Sequence, residues 1–296
     1  MRRLVVVALL AISCGALPAH AQTLTLAYRS GDTFKYAIHS VLKENLSAAG
    51  VTIPLDIEMT GHETVKVTSV DSSGTSDMAI TVSDVTMKTV SKGVTNTTSY
   101  TPASSVEVKV SSDGRVRSVN GISTTGNVFA TITSLGGGFI TAVLPDNAVK
   151  PGDSWTKSYD EAGPDGSGAA HITAASKYLR DESVSGVSTA VVETKSTTSI
   201  DFTTSGGSLK PAGGTNASPM PMFPIGNFQG VSIKGTIVSD VTSWIDAGVH
   251  RVVKTHESSS TDVAMTETLI GGAQPGPSLT STFSVKGAET IDLTPA

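Results

Sequence analysis

Apolar and polar residues alternate along most of the chain, which is the pattern of strands that bury one face. The main apolar residues are at even positions within residues 34–42 and at odd positions within residues 51–67. A shift in the phase of this alternation before Val85 indicates a β-bulge. Two short alternating runs flank Asp113-Gly114, which predicts a hairpin. The alternation resumes at residues 172–178, 187–200, 231–245, 249–255, 263–269 and 279–293.

Residues 122–143 break the alternation. Their apolar residues recur at helical spacing and are Ile122, Val128, Phe129, Ile132, Leu135, Phe139, Ile140 and Val143. Gly136, Gly137 and Gly138 interrupt the pattern and cost about 2–3 kcal/mol of helix propensity relative to alanine. We therefore predict two short helices or one bent helix in this segment.

Together these patterns predict a mainly β fold. We expect a strongly curved antiparallel sheet of about a dozen strands, a half-barrel or two-lobed barrel. The short central helical segment is expected to pack on the concave side of the sheet, because its apolar face needs a partner.

A proline-rich turn lies at the centre of the chain, at residues 144–155, with the sequence LPDNAVKPGDSW. Pro145 suits neither a helix interior nor a central strand, and Gly152-Asp153 is a typical turn pair. Gly-Asp followed by a hydroxyl and an aromatic residue also occurs at residues 31–34, where Phe34 takes the place of Trp155. We interpret residues 22–296 as one domain that is either two duplicated halves, 22–143 and 144–296, or an ordinary all-β chain with recurrent glycine turns.

The first 21 residues have the features of a secretory signal peptide. A basic start at Arg2 and Arg3 precedes an apolar run and the small-x-small site Ala19-His20-Ala21. The run is too short to span a bilayer, which requires about 20 residues. An exported protein, periplasmic or extracellular, is predicted; a lipid anchor at Cys14 is the alternative.

The charge balance excludes some partners. Removing Arg2 and Arg3 leaves 19 basic residues against 26 acidic ones, a formal net charge of −7. Because no basic run is present, we expect no nucleic-acid partner. Cys14 is the only cysteine, so a mature chain would have no disulfide and no catalytic thiol, and no later apolar run approaches membrane-spanning length.

No constellation of residues indicates catalysis or a cofactor. The histidines of the mature chain have no metal-ligand spacing, and they are His39, His62, His171, His250 and His256. His62-Glu63 lacks the second histidine of a zinc protease helix, and no Gly-x-Ser-x-Gly elbow is present. We expect a protein that is not an enzyme and that has neither a metal site nor a cofactor.

Residues 205–228 form a long segment rich in Gly, Pro and Ser that carries apolar residues near its end. A loop of this length is either a flexible insertion or a functional flap. Met222 and Phe223 favour a flap over an apolar surface, and tethering to the edge of the same core is the alternative.

The central motif, carried by Leu144, Pro145, Gly152, Asp153 and Trp155, resembles one found in uncharacterised exported bacterial proteins. In those proteins an early Gly-Asp-x-aromatic strand, a central helical segment and later strands follow in the same order. The arrangement is similar to the curved-sheet-plus-helix folds of the LolA/LppX type, which hold lipid or lipoprotein acyl chains. The resemblance implies lipid carriage by fold analogy alone.

Two functions follow from these observations. The first is a binding protein of the cell envelope that holds a lipid or another apolar ligand between the sheet and the helix. Its cavity would be lined by Phe129, Phe139, Trp155, Met222 and Phe223. The alternative is a structural or protein-interaction module of the envelope, with a protein partner and no small-molecule ligand.

Overall fold

The computed structural model describes residues 21–101, 105–119, 122–123, 141–162, 168–205, 228–269 and 279–296. These residues form a single sheet of thirteen strands. In chain order the strands are β1 (Thr33–Ala48), β2 (Val51–Val70), β3 (Ser76–Ser91), β4 (Val94–Tyr100), β5 (Val106–Val110), β6 (Val116–Val119), β7 (Ile122–Ser123), β8 (Ser154–Ala162), β9 (Gly168–Val184), β10 (Val187–Ser205), β11 (Phe228–Asp246), β12 (Val252–Leu269) and β13 (Leu279–Pro295).

The sheet is antiparallel throughout, and its hydrogen bonding is open at both ends. Its strand order is β7-β6-β5-β3-β2-β1-β13-β12-β11-β10-β9-β8, with β4 paired to β3 beside this path. Neighbours in the sequence are mostly neighbours in the sheet. β3 also pairs with β5, and the pairing of longest range joins the two halves of the chain, because β1 pairs with β13 from Tyr36 opposite Pro295 to Ala48 opposite Phe283.

The alternating pattern correctly predicts a mainly β protein. The phase slip before Val85 is a register shift between β2 and β3, where Asp84 has a φ of 52°. The turn at Gly114 joins β5 to β6, as the hairpin prediction requires. The runs predicted at residues 249–255 and 263–269 belong to one long strand, β12, which begins at Val252.

Three hairpins close through two-residue turns with positive φ at both positions. These turns are Ala49-Gly50, Lys92-Gly93 and Ser185-Gly186, with φ values from 49° to 82°. Such turns match the right-handed twist of the strands they connect. The glycine in each pair adopts this conformation without a steric penalty, so the turn fixes the register of both strands.

The predicted central helical segment is not supported, because no described residue lies in a helix. Ile122 at its start pairs with Val119 as part of strand β7, and residues 141–143 at its end are extended. Residues 124–140 lie outside the described residues. The prediction relied on apolar spacing alone, and a short apolar run fits helix and strand alike.

The two ends of the sheet approach each other through side chains. Lys157 Nζ on β8 lies 3.0 Å from Asp113 Oδ2 in the β5–β6 turn. The guanidinium of Arg115 lies 4.8 Å from the ring centroid of Tyr159, also on β8. Because these strands stand at opposite ends of the strand order, the sheet curls into a concave face.

Two glycines allow close contact between neighbouring strands on this face. A Cβ atom at Gly235 would lie 2.3 Å from the carbonyl oxygen of Asp262 and 2.6 Å from Val263 Cα. A Cβ atom at Gly287 would lie 2.4 Å from the carbonyl oxygen of Lys43. Glycine inside a strand is typical of such sharp bends.

The two Gly-Asp turns make the same set of backbone hydrogen bonds. Gly31 N donates to Val67 O at 2.9 Å and Asp32 O accepts from Val67 N at 2.9 Å. Gly152 and Asp153 bond in the same way to Tyr178, at 2.7 and 3.0 Å. Each aspartate carboxylate also accepts from the backbone N–H three residues earlier, at 2.9 Å. The duplication of residues 22–143 in 144–296 stays a prediction with which these matching turns agree.

Candidate functional site

The buried apolar residues form two separate clusters. We call the larger one the basal cluster: Leu24, Leu26, Tyr28, Tyr36, Ile38, Met59, Val65, Val67, Met78, Ile80, Val85, Val108, Val110, Ala142, Leu144, Val149, Tyr178, Ala190, Val192, Ile245, Val252, Ile291 and Leu293. We call the smaller one the distal cluster: Ala170, Ile172, Ile200, Phe202, Ile233, Val263 and Met265.

Two extended segments cross the basal cluster. Residues 22–28 and 141–149 pair through Gln22 and Val149, and Leu144 N donates to Asp113 O at 2.9 Å. Buried hydroxyl groups on the sheet accept the next backbone donors, since Ala142 N bonds to Ser243 Oγ at 2.8 Å and Val143 N to Thr194 Oγ1 at 2.9 Å. This satisfied backbone makes the basal end a closed core.

The described members of the distal cluster all come from strands, β9 to β12. On the neighbouring strands β1, β2 and β13 the same end of the sheet carries half-buried apolar side chains, Leu46, Ile53, Leu55, Ile57 and Val285. We call these five residues the apolar strip. Leu46 lies opposite both Ile53 and Val285, so the strip is continuous across three strands.

Between the basal residues and the apolar strip lie three glutamates on the concave face, Glu44, Glu257 and Glu289, which we call the glutamate band. Their strands, β1, β12 and β13, are adjacent in the sheet. Glu289 pairs with Leu42 on β1 and with Ser259 on β12, which places Glu44 and Glu257 on its two diagonals. Diagonal partners on one face of a sheet are within reach of long side chains.

Burial and mutual repulsion control the protonation of the glutamate band. Burial raises the pKa of Glu289 to about 8; a hydrogen bond from Ser40 opposes this rise, and the charges of Glu257 and Glu44 add to it. Burial also raises the pKa of Glu257 to about 7 and raises the pKa of Glu44. Near neutral pH the carboxyl groups of the band are therefore partly protonated.

One oxygen of Glu289 lacks a partner. Ser40 Oγ donates to Glu289 Oε1 at 2.9 Å, whereas Oε2 is buried and accepts no hydrogen bond from any described residue. Glu289 is only 4% exposed. A buried acceptor without a donor costs about 1–3 kcal/mol, so the site has unused capacity to accept a hydrogen bond.

Glu63 is also buried, but it lies in the basal end of the sheet opposite Tyr36. Neither of its carboxylate oxygens has a hydrogen-bond partner among the described residues, and its exposure is 0%. Burial raises the pKa of Glu63 to about 8. The Tyr36 hydroxyl donates elsewhere, to Val252 O at 2.8 Å, so Glu63 is most stable as the neutral acid.

The central motif anchors the closed basal end. Leu144 is fully buried, Pro145 is half-buried, and Gly152 has a φ of 98° in the turn completed by Asp153. The Trp155 indole N–H donates to Val143 O at 3.0 Å, and its ring packs against the basal cluster. The predicted cavity residues Phe129, Phe139, Met222 and Phe223, most of the 205–228 loop and the predicted signal peptide lie outside the described residues.

The sequence analysis missed the glutamate band, although the sequence contains its signal. Glu44 shares the parity of Ile38 and Leu42, which are both buried. Glu289 shares the parity of Ile291. A charged residue in the apolar phase of a strand indicates a buried carboxylate, whereas the pairing of strands that brings three of them together is not readable from local pattern.

The described part of the chain shows neither a cluster of metal ligands nor a helix that could cross a membrane. Within it, no group of three or more His, Cys, Asp or Glu side chains is arranged to hold a metal ion. No described residue belongs to a helix with the length and hydropathy needed to cross a membrane.

Comparison with known proteins gives no family. No protein-family model matches the sequence, and no curated protein matches it. Among solved structures, OccK8 (OprE) of Pseudomonas aeruginosa is 10% identical, with 89% of this chain and 98% of that chain covered and a TM-score of 0.19. A mutant of Rh. blastica porin is 9% identical, covers 88% and 100%, and has a TM-score of 0.16. OccK11 (OpdR) of Pseudomonas aeruginosa is 8% identical, covers 90% and 97%, and also has a TM-score of 0.16. These scores are too low to support an argument about fold or function.

Proposed function

We propose that the protein is an exported, non-catalytic binding protein of the bacterial cell envelope that holds a lipid or another amphipathic ligand on the concave face of its sheet. The observation that carries this proposal is the separation of the two apolar clusters. The basal cluster is covered by residues 22–28 and 141–149. The apolar strip at the other end remains half-buried, which is the exposure expected of a ligand surface.

The position of the strip supports a ligand with two different ends. Leu55 pairs with Glu44, and Ile57 pairs with Leu42, which in turn lies opposite Glu289. Apolar side chains and buried carboxyl groups therefore adjoin on one surface. Such a surface favours a molecule with an apolar body and one polar group, because each part finds a matching environment.

Native mass spectrometry of the protein purified without detergent, followed by organic extraction, tests this function. We expect a bound species in stoichiometric amount that the extract identifies. Leu55→Ser should reduce the bound fraction, whereas Val94→Ser, at an exposed position of strand β4, should leave it unchanged. A clean unliganded mass that persists after incubation with lipid extracts would contradict the proposal.

A protein-interaction module of the envelope is the second candidate. It is favoured by exposed apolar residues, Val51 at 57%, Val94 at 70% and Tyr100 at 38% exposure, of which Val94 and Tyr100 stand at the two ends of β4. All seven residues of β4 are exposed. Chemical crosslinking in cells tests this candidate, and it predicts that Val94→Ser reduces the yield of a crosslinked partner while Leu55→Ser does not.

A further inference from the structure

We propose that the glutamate band binds the cationic end of the ligand, so that the molecule held on the concave face is an amphipathic amine. The inference rests on the proposed function and names the chemical class of its ligand. Glu44, Glu257 and Glu289 supply the acceptors, and the apolar strip contacts the hydrocarbon part.

The band lacks counter-charges. Several glutamate and aspartate residues on the outer surface have basic partners, as in the pair of Asp262 and Lys286 at 2.8 Å. None of the three band glutamates forms an ion pair with a described Lys, Arg or His. Buried carboxylates are normally paired or protonated, so a cation from outside the chain would supply the missing ion-pair partner.

The centre of the band also offers a free hydrogen-bond acceptor. Glu289 is 4% exposed, and its Oε2 atom has no donor among the described residues. Ser40 holds the other oxygen at 2.9 Å and so fixes the orientation of the carboxyl group. A primary ammonium carries N–H donors and no acceptor, which matches the free oxygen of Glu289 with Glu44 and Glu257 on its two diagonals.

The band is also bordered by apolar side chains. On β1, Leu42 and Leu46 flank Glu44 on the concave face, and Leu55 lies opposite it on β2. Small inorganic cations gain nothing from such neighbours, whereas the methylene groups next to an amine are removed from water there. The polar and apolar groups together therefore favour an alkylamine over a bare ion.

Isothermal titration calorimetry with three eight-carbon probes tests the inference: octylammonium, octanol and octanoate. We expect octylammonium to bind at least about tenfold more tightly than octanol, and octanoate to bind most weakly, because the band repels anions. Glu289→Gln should remove the preference for octylammonium over octanol. Glu257→Gln should reduce the preference in the same direction.

Glu63→Gln is the matched control, since Glu63 is also buried but lies at the basal end of the sheet, opposite Tyr36. It should leave all three affinities unchanged. Equal affinities for octylammonium and octanol, or an equal loss in Glu63→Gln and Glu289→Gln, would overturn the inference while the proposed function stands. Failure of all three probes to bind would overturn both.

Proton release gives an independent readout. An ammonium ion stabilises the ionised carboxylates, so its binding near neutral pH should release protons, which appear as a dependence of the binding heat on the ionisation enthalpy of the buffer. Octanol should release none. Binding of octylammonium without proton release would also contradict contact with the band, because burial leaves these carboxyl groups partly protonated.

Discussion

The two ends of the concave face are built from the same alternating strands, but among the described residues only the basal end is crossed by further segments of the chain. At the basal end, residues 22–28 and 141–149 lie across the sheet and bond to its turns and hydroxyl groups. At the distal end, the described residues supply strand side chains alone, and the apolar strip stays half-buried. One end of the sheet therefore contributes most to stability, and the other carries the surface that we propose for a ligand.

The largest expected effect comes from a matched pair of leucines, one at each end. Leu144→Ala should lower the free energy of unfolding by about 3–5 kcal/mol, because Leu144 is fully buried in the crossing segment. Leu55→Ala, in the half-buried strip, should cost only about 1 kcal/mol. Urea unfolding followed by tryptophan fluorescence measures both changes. Equal losses would contradict the assignment of stability to the basal end.

The buried glutamates predict a pH dependence of stability. The folded pKa of Glu63 is about 8, above its ordinary value of 4.5. The folded protein therefore keeps a proton that the unfolded chain loses, and stability falls as pH rises from about 5 to about 9. Glu63→Gln should reduce this fall, and at pH 9 it should be more stable than the unmodified protein by on the order of 3 kcal/mol.

Titration of individual carboxyl groups also distinguishes the two ends of the sheet. Glu257→Gln removes one of the charges that raise the pKa of Glu289, so the pKa of Glu289 should fall, which carboxyl-resolved nuclear magnetic resonance measures. Glu63→Gln should leave the pKa of Glu289 unchanged. A shift of the same size in both variants would show that the band is not a separate coupled unit.

A smaller effect is expected where side chains hold the two ends of the sheet together. Lys157 is 12% exposed, and its ammonium bonds to Asp113 at 3.0 Å and to Asp146 at 2.7 Å. Lys157→Met should cost about 1–2 kcal/mol, because it leaves the half-buried Asp113 with Arg115 as its remaining ion-pair partner. The exposed pair of Lys286 and Asp262 is the control, and Lys286→Met should cost less than about 0.5 kcal/mol. Thermal unfolding compares the two variants, and equal shifts would contradict the role of Lys157.

The local parts of the fold could be predicted from the sequence, and the long-range parts could not. Alternation predicted most of the strands, and Gly114 predicted the β5–β6 hairpin, because both depend on neighbouring residues. The pairing of β1 with β13 has no local signal in the sequence, so the position of the glutamate band could not be predicted either. The turn at Ala49-Gly50 was also hard to recognise, since alanine seldom adopts a positive φ.

The helical prediction was wrong at Ile122 for a related reason. Its apolar residues suit either period over a short run, and pairing with Val119 decides in favour of a strand. The glutamate band was not predicted, because aromatic residues and methionine were taken as the guide to a cavity. Four of those five residues lie outside the described part of the chain, so that cavity stays a prediction. Trp155, the described residue of that set, packs on the basal cluster and bonds to Val143, at the closed end.

The place of β13 in the strand order has a consequence for how the chain folds. β13 is the last described strand along the chain, yet it lies in the middle of the sheet, between β1 and β12. During synthesis, every earlier strand emerges before the one that joins the two halves. Both halves then have an unpaired central edge, which is a template for aggregation until β13 arrives.

Folding should therefore be slow, and the sheet can be completed only after β13 has been made. The contacts between β1 and β13 span most of the sequence, and such contacts are the ones that slow folding most. A chain with this order of events stays unfolded longer than one whose strands pair as they appear. That delay suits the proposed route of the protein, because a polypeptide that crosses a membrane before folding must not complete its sheet too early.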